Sequence, residues 1–451
     1  MTAPSIAIIG GGLAGIAGAL ACRDAGARVT LLEARARLGG ATWSTRRDGL
    51  WIDNGQHVFL RCCTAYRELL RRLGVEERVQ LQKRLAVPVV APGGATHWLR
   101  RGRLPAPLHL AASLLRFGHL ALADRLRVAR TVRRIGALDL ADPALDERSF
   151  GVWLLEQGES ADAIASFWDL LIRPTVNVSA ADASLALAVK VFQTGLLEAA
   201  GNADIGWARV PLQELHGETA GRALSRGGAQ LRTRARVARI DPTAQSVVVT
   251  CADGARIEAD AVILAAAHEE AAELLPPAAG LDAAALRKLG RAPIVNLHVV
   301  FDRRVTDLAL LAGVRTPLEW IFDRSHGAGL GEGQYLAISL SAADAYVGVR
   351  AGELEGIFLP ELARLLPRTR AARVLRFHVT CERAATFHQV PGTRRLRPGP
   401  RTALPGLYMA GAWTDTGWPA TMESAVRSGL AAARCALRDA GRTRGLPAEA
   451  A

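Results

Sequence analysis

The chain has 451 residues, of which 50% are apolar and 22% are charged, and its mean hydropathy is +0.14. These values exclude a disordered polyampholyte and predict a large core, and the length favours two domains or one large domain with an inserted lobe. The net charge of +13 favours phosphate, anionic lipid or nucleic acid over cationic small molecules, or else reflects a general bias toward Ala and Arg.

The cysteines and the first residues indicate the compartment. The six cysteines are Cys22, Cys62, Cys63, Cys251, Cys381 and Cys435. Because they have no C-x-x-C spacing, we expect neither a metal site nor a disulfide framework. The first 22 residues lack basic residues before the apolar run and contain five glycines, which argues against a targeting peptide. We therefore expect a cytoplasmic protein.

The first predicted unit is a βαβ unit with a glycine motif. A β-branched run at residues 5–9 leads into GGGLAG, a helix of small residues and the second strand ARVTLLEA. Gly10, Gly12 and Gly15 form G-x-G-x-x-G, which permits a tight turn, close approach of a pyrophosphate and close helix packing. Glu33 ends the second strand at the spacing of a carboxylate that binds ribose hydroxyls. The sequence therefore predicts a dinucleotide-binding fold.

A polar segment, DNGQHVF at residues 53–59, follows Trp51 and Ile52 in a predicted strand and turn. Unsatisfied buried polar groups cost about 1–3 kcal/mol each, so this segment needs partners. Two interpretations stay open. Asp53 and His57 cap a turn and satisfy each other, or the segment faces a cofactor or substrate.

The next segment changes character. Residues 78–103 are predicted to form short strands, and residues 104–135 are predicted to be helical with apolar residues on roughly one face: Leu108, Ala111, Leu115, Leu122, Leu126 and Ala129. Asp124 is the one acid of the other face. That face is otherwise basic and carries Arg116, Arg125, Arg127, Arg130, Arg133 and Arg134. The pattern is typical of an interfacial helix on anionic lipid, or of an ordinary surface helix packed on its own protein.

The remaining elements bring back the nucleotide-binding pattern. Residues 150–197 read as helical, residues 227–266 as strands, and residues 294–301 and 335–340 as further strands. GLYMAGAW reads as a buried strand before a final helix at about 420–440. We therefore predict an α/β fold in which a Rossmann-like domain is built from the beginning, middle and end of the chain.

Two stretches resemble the flavin amine oxidase and phytoene desaturase superfamily: EARARLGG, and LYMAGAWTDTGWPATMESAVRSG near the end. The resemblance implies FAD as cofactor, with Arg37, Gly39 and Gly40 along the diphosphate and flavin. In the second stretch the matching positions are Gly411, Thr414, Thr421, Met422 and Ala425. Ala41 and Ala412 depart from the family pattern, and Asp415 is a candidate substitute for the aspartate expected at 412.

The resemblance also gives roles to the middle of the chain. Val237 lies where the superfamily holds adenine through the backbone of a valine. The segment after the second strand runs along the isoalloxazine ring, so Gly55 permits close approach and Gln56 or His57 faces the flavin or substrate. The fold implied is a Rossmann-like FAD-binding domain of the glutathione-reductase-like, amine oxidase type, with an interleaved α+β substrate domain. The predicted FAD-binding segments are 1–75, 222–275 and 385–451, and the substrate segments are 76–221 and 276–384.

The stretches DNGQHVFLRCCTAY, SFWDLLIRPTVNVSAADAS and TDTGWPATMESAV resemble more narrowly the hydroxysqualene dehydroxylases of hopanoid synthesis. This resemblance implies reductive removal of a hydroxyl from a long-chain isoprenoid, with His57 or Asp53 as the candidate proton donor. Alternatives are a carotenoid or phytoene-type desaturase, an amine oxidase, and a prenyl-lipid binding protein without catalysis. Candidate aromatic residues for stabilising an allylic cation, or simply for core packing, are Trp168, Phe192, Trp413 and Trp418.

The expected partners follow from these assignments. GAGLGEGQ, at residues 327–334, follows no predicted strand and opens no predicted helix, so we expect an external electron donor instead of an internal NAD(P)H site. The basic helical stretch makes an anionic membrane surface a candidate partner, with peripheral attachment to the inner membrane. The arginines form no recognisable nucleic-acid reading module, so we expect no nucleic-acid partner.

Overall fold

The structure, a computed structural model, describes residues 3–440. Residues 1, 2 and 441–451 of the predicted first and last segments lie outside this described part. Its strands, in chain order, are β1 (Ser5–Ile9), β2 (Arg28–Glu33), β3 (Ser44–Arg47), β4 (Leu50–Asp53), β5 (Val58–Leu60), β6 (Val79–Leu81), β7 (Ala86–Val90), β8 (Thr96–Arg100), β9 (Ile205–Ala208), β10 (Gln230–Thr233), β11 (Val237–Pro242), β12 (Val247–Cys251), β13 (Arg256–Ala259), β14 (Ala261–Leu264), β15 (Ala292–Phe301), β16 (Leu310–Gly313), β17 (Trp320–Asp323), β18 (Gln334–Ser341), β19 (Val374–Thr386) and β20 (Leu407–Met409).

The helices of the same part of the chain are α1 (Leu13–Asp24), α2 (Thr64–Arg72), α3 (Ala111–Leu115), α4 (Leu122–Ile135), α5 (Phe150–Glu156), α6 (Ala161–Ala163), α7 (Asp169–Val176), α8 (Leu185–Phe192), α9 (Thr219–Arg226), α10 (His268–Leu274), α11 (Ala283–Arg287), α12 (Ser325–Ala328), α13 (Ala351–Leu365) and α14 (Met422–Asp439). Short π-helical turns extend several of them, at Ile164–Trp168, Gln193–Leu197 and Gln213–Glu218.

A parallel sheet gathers strands from distant parts of the chain. Its order is β10-β2-β1-β14-β20, and every neighbouring pair runs parallel. Val262, Ile263 and Leu264 of the central strand β14 are fully buried, as expected for a strand covered on both faces. The predicted Rossmann-like α/β fold is therefore confirmed, and the strands of its parallel sheet lie near the beginning, the middle and the end of the chain.

Helices α1 and α14 cross at two glycines. A Cβ atom added at Gly429 would lie 2.0 Å from the carbonyl oxygen of Ala14, and one at Gly18 would lie 3.2 Å from the carbonyl oxygen of Gly429. Only glycine permits backbones to approach this closely. The crossing fixes the C-terminal helix against the N-terminal helix and so closes one face of the parallel sheet.

A second, seven-stranded sheet has the order β19-β15-β18-β17-β16-β7-β8. One face packs against α13 through Leu354, Phe358 and Leu362. Part of the other face is covered by the β3-β4 hairpin, because Leu50 and Ile52 share a buried cluster with residues of β15 and β18. The large sheet therefore lies directly beside the polar segment that follows β4.

The predicted helix over residues 104–135 is corrected by the structure. A short 3-10 turn (Leu108–Leu110) and α3 are separated from α4, because the chain bends between them to bury Phe117 and Leu120. The core side of α4 carries Val128, Thr131 and Ile135. The predicted apolar face points outward instead, with exposed fractions of 57% for Leu108, 53% for Leu115, 61% for Leu122 and 57% for Leu126.

No helix in residues 3–440 combines the length and the apolar character that crossing a bilayer would require.

Candidate functional site

The glycine turn between β1 and α1 has the shape that the motif predicts. Gly10 has a φ of +107°, and a Cβ atom there would lie 2.5 Å from the carbonyl oxygen of Ala265. A Cβ atom at Gly15 would lie 1.9 Å from the carbonyl oxygen of Gly10. Gly12, the N-cap of α1, is different. A Cβ atom added there would have Gly40 Cα as its nearest neighbour, at 3.7 Å. Gly10 and Gly15 are thus required by the fold itself, whereas the space beside Gly12 is open.

The loop after β2 docks on this turn. The N–H of Gly39 donates to the carbonyl oxygen of Gly11 at 2.8 Å. Gly40 has a φ of +57°, and a Cβ atom there would lie 2.7 Å from Gly12 Cα. Arg37 Nη1 donates to the Gly40 carbonyl oxygen at 3.4 Å, and desolvation lowers the pKa of its guanidinium. The structure therefore brings Arg37, Gly39 and Gly40 against the glycine motif.

Glu33 is buried at the end of β2. Its Oε2 accepts the N–H of Gly11 at 2.7 Å, and its Oε1 accepts the N–H of Arg35 at 2.7 Å. Each carboxylate oxygen keeps a second lone pair, which suits a pair of ribose hydroxyls. The Glu33 carbonyl oxygen accepts the N–H of Ala235 at 2.9 Å, two residues before Val237, the first residue of β11.

The C-terminal stretch is shaped by a second glycine. Gly411 has a φ of +147°, and its N–H donates to Ser428 Oγ of α14 at 2.8 Å. The N–H and hydroxyl of Thr414 both donate to the Gly411 carbonyl oxygen, at 3.0 and 2.9 Å. The end of β20 is thereby fastened to the C-terminal helix.

The start of α14 holds the remaining predicted residues. Thr421 is its N-cap, with Oγ1 accepting the N–H of Ser424 at 3.3 Å, and Met422 is its first residue. The N–H of Ala425 donates to the Thr421 carbonyl oxygen at 3.0 Å. Asp415, the candidate substitute for the aspartate expected at 412, accepts the N–H of Gly417 through Oδ1 at 3.2 Å.

These features fit FAD. The open space beside Gly12, between a helix N-terminus and the glycine pair of the neighbouring loop, is what a diphosphate requires. A buried carboxylate with free lone pairs stands at the ribose position of such a fold. Gln56 Nε2 and Asn296 Oδ1 are buried without a hydrogen-bond partner in residues 3–440. Such atoms are expected where a bound ligand supplies the missing hydrogen bonds.

Asp53 is held by three donors. Its Oδ1 accepts from Ser44 Oγ at 2.6 Å and from the N–H of Leu212 at 3.1 Å, and its Oδ2 accepts from Arg324 Nη2 at 2.8 Å. The interpretation in which Asp53 and His57 satisfy each other is therefore not what the structure has. Because both oxygens already accept hydrogen bonds, the fold uses this carboxylate to join separate elements.

His57 is half-buried and has a different environment. Its Nδ1 lies 3.3 Å from the carbonyl oxygen of Gly55. Desolvation lowers the pKa of His57, and the Gly55 hydrogen bond and the negative charge of Asp53 partly offset this effect. The neutral imidazole is therefore favoured at neutral pH.

A small cavity, with room for no more than about one water molecule and partly open to solvent, lies beside His57. Its lining combines the polar segment with aromatic and apolar side chains: Asp53, Gln56, His57, Val58, Trp207, Ala208, Leu212, Ala309, Phe322, Asp323 and Arg324. The cavity leaves the half-buried imidazole beside space that solvent reaches.

Sequence reasoning missed the residues that support this segment from the large sheet. Asn296 Nδ2 and Thr380 Oγ1 both donate to the carbonyl oxygen of Asn54, at 3.0 and 3.1 Å. Glu382 Oε1 accepts from Asn54 Nδ2 at 3.1 Å, and Arg324 pairs with Asp53. No local pattern marks these residues, because each lies more than 240 positions from its partner.

The aromatic candidates separate into two groups. Trp168 and Phe192 are fully buried, with ring centroids 5.1 Å apart, and belong to the core of the helical region. Trp413 Nε1 donates to the carbonyl oxygen of Ala266 at 3.0 Å, inside the FAD-binding domain. Trp418 is partly buried between the cations of Lys190 and Arg427, each 5.0 Å from its ring. Core packing thus accounts for the first two.

The fold and this site define an FAD-dependent oxidoreductase in which a Rossmann-like domain adjoins a second, mixed sheet. The chain belongs to the family described as flavin containing amine oxidoreductase, which it matches over residues 13–437.

Comparison with known proteins extends this assignment. The chain is 28% identical to a hydroxysqualene dehydroxylase of Sinorhizobium fredii, over 96% of this chain and 99% of that protein. It is 25% identical to a 15-cis-phytoene desaturase of Solanum lycopersicum, over 96% of this chain and 78% of that protein. Among solved structures, a cyclohexylamine oxidase from Brevibacterium oxydans shares the fold, with a TM-score of 0.71, 21% identity and coverage of 98% and 100% of the two chains.

Proposed function

We propose that this protein catalyses the reductive dehydroxylation of hydroxysqualene to squalene, as a step of hopanoid biosynthesis. The observation that carries the proposal is the end-to-end match to a hydroxysqualene dehydroxylase, which covers 96% of this chain and 99% of that relative. The phytoene desaturase is matched over only 78% of its length. The exposed apolar surface described below also suits a protein that takes its substrate from lipid.

The proposed reaction replaces a carbon–oxygen bond by a carbon–hydrogen bond. The hydroxyl takes up one proton and leaves as water, and the carbon receives a hydride, so two electrons enter the substrate. When bound, reduced FAD supplies hydride chemistry. The residues proposed to hold FAD are those around the two glycine turns, with Gly55 and Gln56 beside the flavin. The chain itself has to orient the isoprenoid, exclude water and deliver the proton.

We assign proton delivery to His57. A lowered pKa makes the protonated imidazole a stronger acid, and the adjoining cavity lets it be protonated again from solvent. Asp53 supports the site by holding Arg324 and the N–H of Leu212 in place. Its charge also favours the protonated form of His57.

An external electron donor is part of the proposal. The glycine-rich segment at residues 327–334 forms the end of the four-residue helix α12 and a turn into β18, with positive φ at Gly329 and Gly333. A dinucleotide loop instead connects a strand to the start of a longer helix. This geometry supports a reductant that binds from outside.

We further propose that the protein is cytoplasmic and attaches peripherally to the inner membrane, whose surface is anionic. The attachment would use an outward-facing surface that we call the leucine patch. The patch consists of five leucines that are each more than half exposed: Leu104, Leu108, Leu115, Leu122 and Leu126. The same stretch of the chain carries exposed arginines: Arg103, Arg116, Arg130, Arg133 and Arg134. Exposed apolar side chains interspersed with cations suit the boundary between headgroups and acyl chains.

A phytoene-type desaturation is the second candidate, because a neutral imidazole that opens on a cavity also suits a base. Anaerobic incubation distinguishes the two. We expect the chemically reduced, FAD-loaded protein to convert hydroxysqualene to squalene while the flavin is reoxidised. Absence of squalene would refute the dehydroxylation, and desaturation of phytoene by the oxidised protein would support the second candidate. Peroxide production from amines would indicate an amine oxidase.

A further inference from the structure

A chain of hydrogen bonds crosses the buried face of the large sheet toward the polar segment. Tyr335 Oη lies 2.7 Å from His298 Nδ1, and His298 Nε2 lies 2.9 Å from Thr380 Oγ1. Thr380 Oγ1 lies 3.1 Å from the carbonyl oxygen of Asn54. Tyr335 and His298 are buried, with exposed fractions of 1% and 0%. The hydrogen-bond chain joins β18, β15 and β19 to the segment after β4.

The direction of every bond in this chain is determined. The Asn54 carbonyl oxygen can only accept, so the Thr380 hydroxyl donates to it and accepts from the N–H at His298 Nε2. The other ring nitrogen, Nδ1, then carries no proton and accepts from the Tyr335 hydroxyl. Burial keeps the imidazole neutral, because desolvation lowers the pKa of His298 to about 3.

The hydrogen-bond chain ends on the peptide group between Asn54 and Gly55, next to the predicted flavin position. Asn296 Nδ2 donates to the same Asn54 carbonyl oxygen at 3.0 Å, so two donors turn this carbonyl toward the sheet. The N–H and C=O of a trans peptide point in opposite directions, so the N–H of Gly55 is turned away from the sheet. The Asn54 side chain donates to the carbonyl oxygen of Ala41, in the loop that follows the glycine pair, at 2.7 Å.

We infer that Tyr335, His298 and Thr380 are positioning residues for FAD, which set the orientation of Gly55 and Gln56 against the flavin. Two buried polar atoms beside Gly55 have no hydrogen-bond partner in residues 3–440, Asn296 Oδ1 and Gln56 Nε2, as expected where a ligand completes the site. The inference rests on FAD binding, which belongs to the proposed function, and not on hydroxysqualene as the substrate.

Matched variants at Thr380 test the last link. Thr380→Ser keeps the hydroxyl, whereas Thr380→Val keeps the shape and removes the hydroxyl. We expect Val to raise the dissociation constant of FAD about fivefold to tenfold and to shift the visible flavin spectrum, because the buried carbonyl loses a donor. Ser should stay within about twofold of the wild type. Equal constants and equal spectra for the two variants would overturn the inference.

The tyrosine link has its own control. Residues 3–440 also contain a buried tyrosine–histidine pair outside the hydrogen-bond chain, Tyr66 Oη and His216 Nε2 at 2.8 Å. Tyr335→Phe should weaken FAD binding and shift the flavin spectrum, while Tyr66→Phe should leave both unchanged. If both variants act alike, the effect is general destabilisation and the inference is wrong. A wild-type chain that takes up no FAD also overturns it, whereas failure to convert hydroxysqualene refutes only the proposed substrate.

Discussion

Arg324 and Asp53 form a buried ion pair, with Nη2 and Oδ2 2.8 Å apart and side chains only 7% and 5% exposed. Arg324 also donates through Nη1 to the carbonyl oxygen of Ala208. The pair joins the end of β4 to the residue after β17, across 271 positions of sequence. It therefore links the polar segment after β4 to the large sheet.

We predict that Arg324→Met lowers the free energy of unfolding by about 3–5 kcal/mol, because Asp53 is left as an uncompensated buried charge. The control is Arg239→Met, which removes a pair whose side chains are 69% and 37% exposed. That variant should change the free energy by less than about 1 kcal/mol. Urea unfolding measures both. Similar values for the two variants would contradict the ion pair as a structural link.

Gly12→Ala is expected to fold normally and to bind FAD at least about tenfold more weakly. A Cβ atom at Gly12 has 3.7 Å to its nearest neighbour, so the protein accommodates it, but it occupies the space assigned to the diphosphate. Gly15→Ala should fail earlier, because its Cβ atom would lie 1.9 Å from a carbonyl oxygen. Circular dichroism and flavin titration separate the two cases. Unchanged FAD affinity in Gly12→Ala would place the diphosphate elsewhere.

The turnover rate for hydroxysqualene should rise as the pH falls from 8 to 6. Desolvation lowers the pKa of His57, so only a minor fraction of the imidazole is protonated at neutral pH and that fraction grows with acidity. In His57→Gln the dependence should flatten and the rate should fall by about 10²-fold or more. Single-turnover reoxidation of reduced flavin gives both rates. A His57→Gln profile that keeps the acid rise would remove His57 from proton delivery.

Replacing Leu122 and Leu126 together by Asp should weaken binding to vesicles that contain phosphatidylglycerol by at least about tenfold, since each buried leucine contributes roughly 1.5–3 kcal/mol. Binding of the wild type should also decrease with salt, because the exposed arginines of the same stretch attract the anionic headgroups. Leu375→Asp is the control, since Leu375 is 47% exposed on β19, outside the leucine patch. Vesicle sedimentation measures all three proteins, and equal binding would refute the patch as the membrane contact.

His298 should make the protein sensitive to acid. Desolvation lowers its pKa to about 3 in the folded state, below the ordinary value of 6.5, so the unfolded chain binds the extra proton first as the pH falls. The stability advantage of the wild type over His298→Gln should therefore shrink by about 1.4 kcal/mol per pH unit between pH 6 and 4.5. His326→Gln, at an exposed histidine, should give a curve parallel to the wild type. A constant difference for His298→Gln would contradict a neutral buried imidazole.

The sequence by itself determined the parallel sheet, the glycine turn, the position of Glu33 and the flavin family. Each depends on residues close together along the chain. Gly10, Gly12 and Gly15 shape one turn, and Glu33 follows at the distance of one βαβ unit. The pattern of apolar residues likewise located β14 and α14, because the spacing of apolar residues along a short segment reflects whether that segment is a strand or a helix.

Only the tertiary structure decided what the polar segment contacts. The sequence makes Asp53 a candidate proton donor, and only the structure shows that Arg324, 271 positions away, lies against it. His298 and Thr380 carry no motif, and their roles arise because two strands of another sheet pass beneath Asn54. The same holds for α4, where Val128 and Ile135 face the core and Leu122 and Leu126 face outward. Packing between distant segments decides which of several compatible faces is buried, and local sequence does not encode that choice.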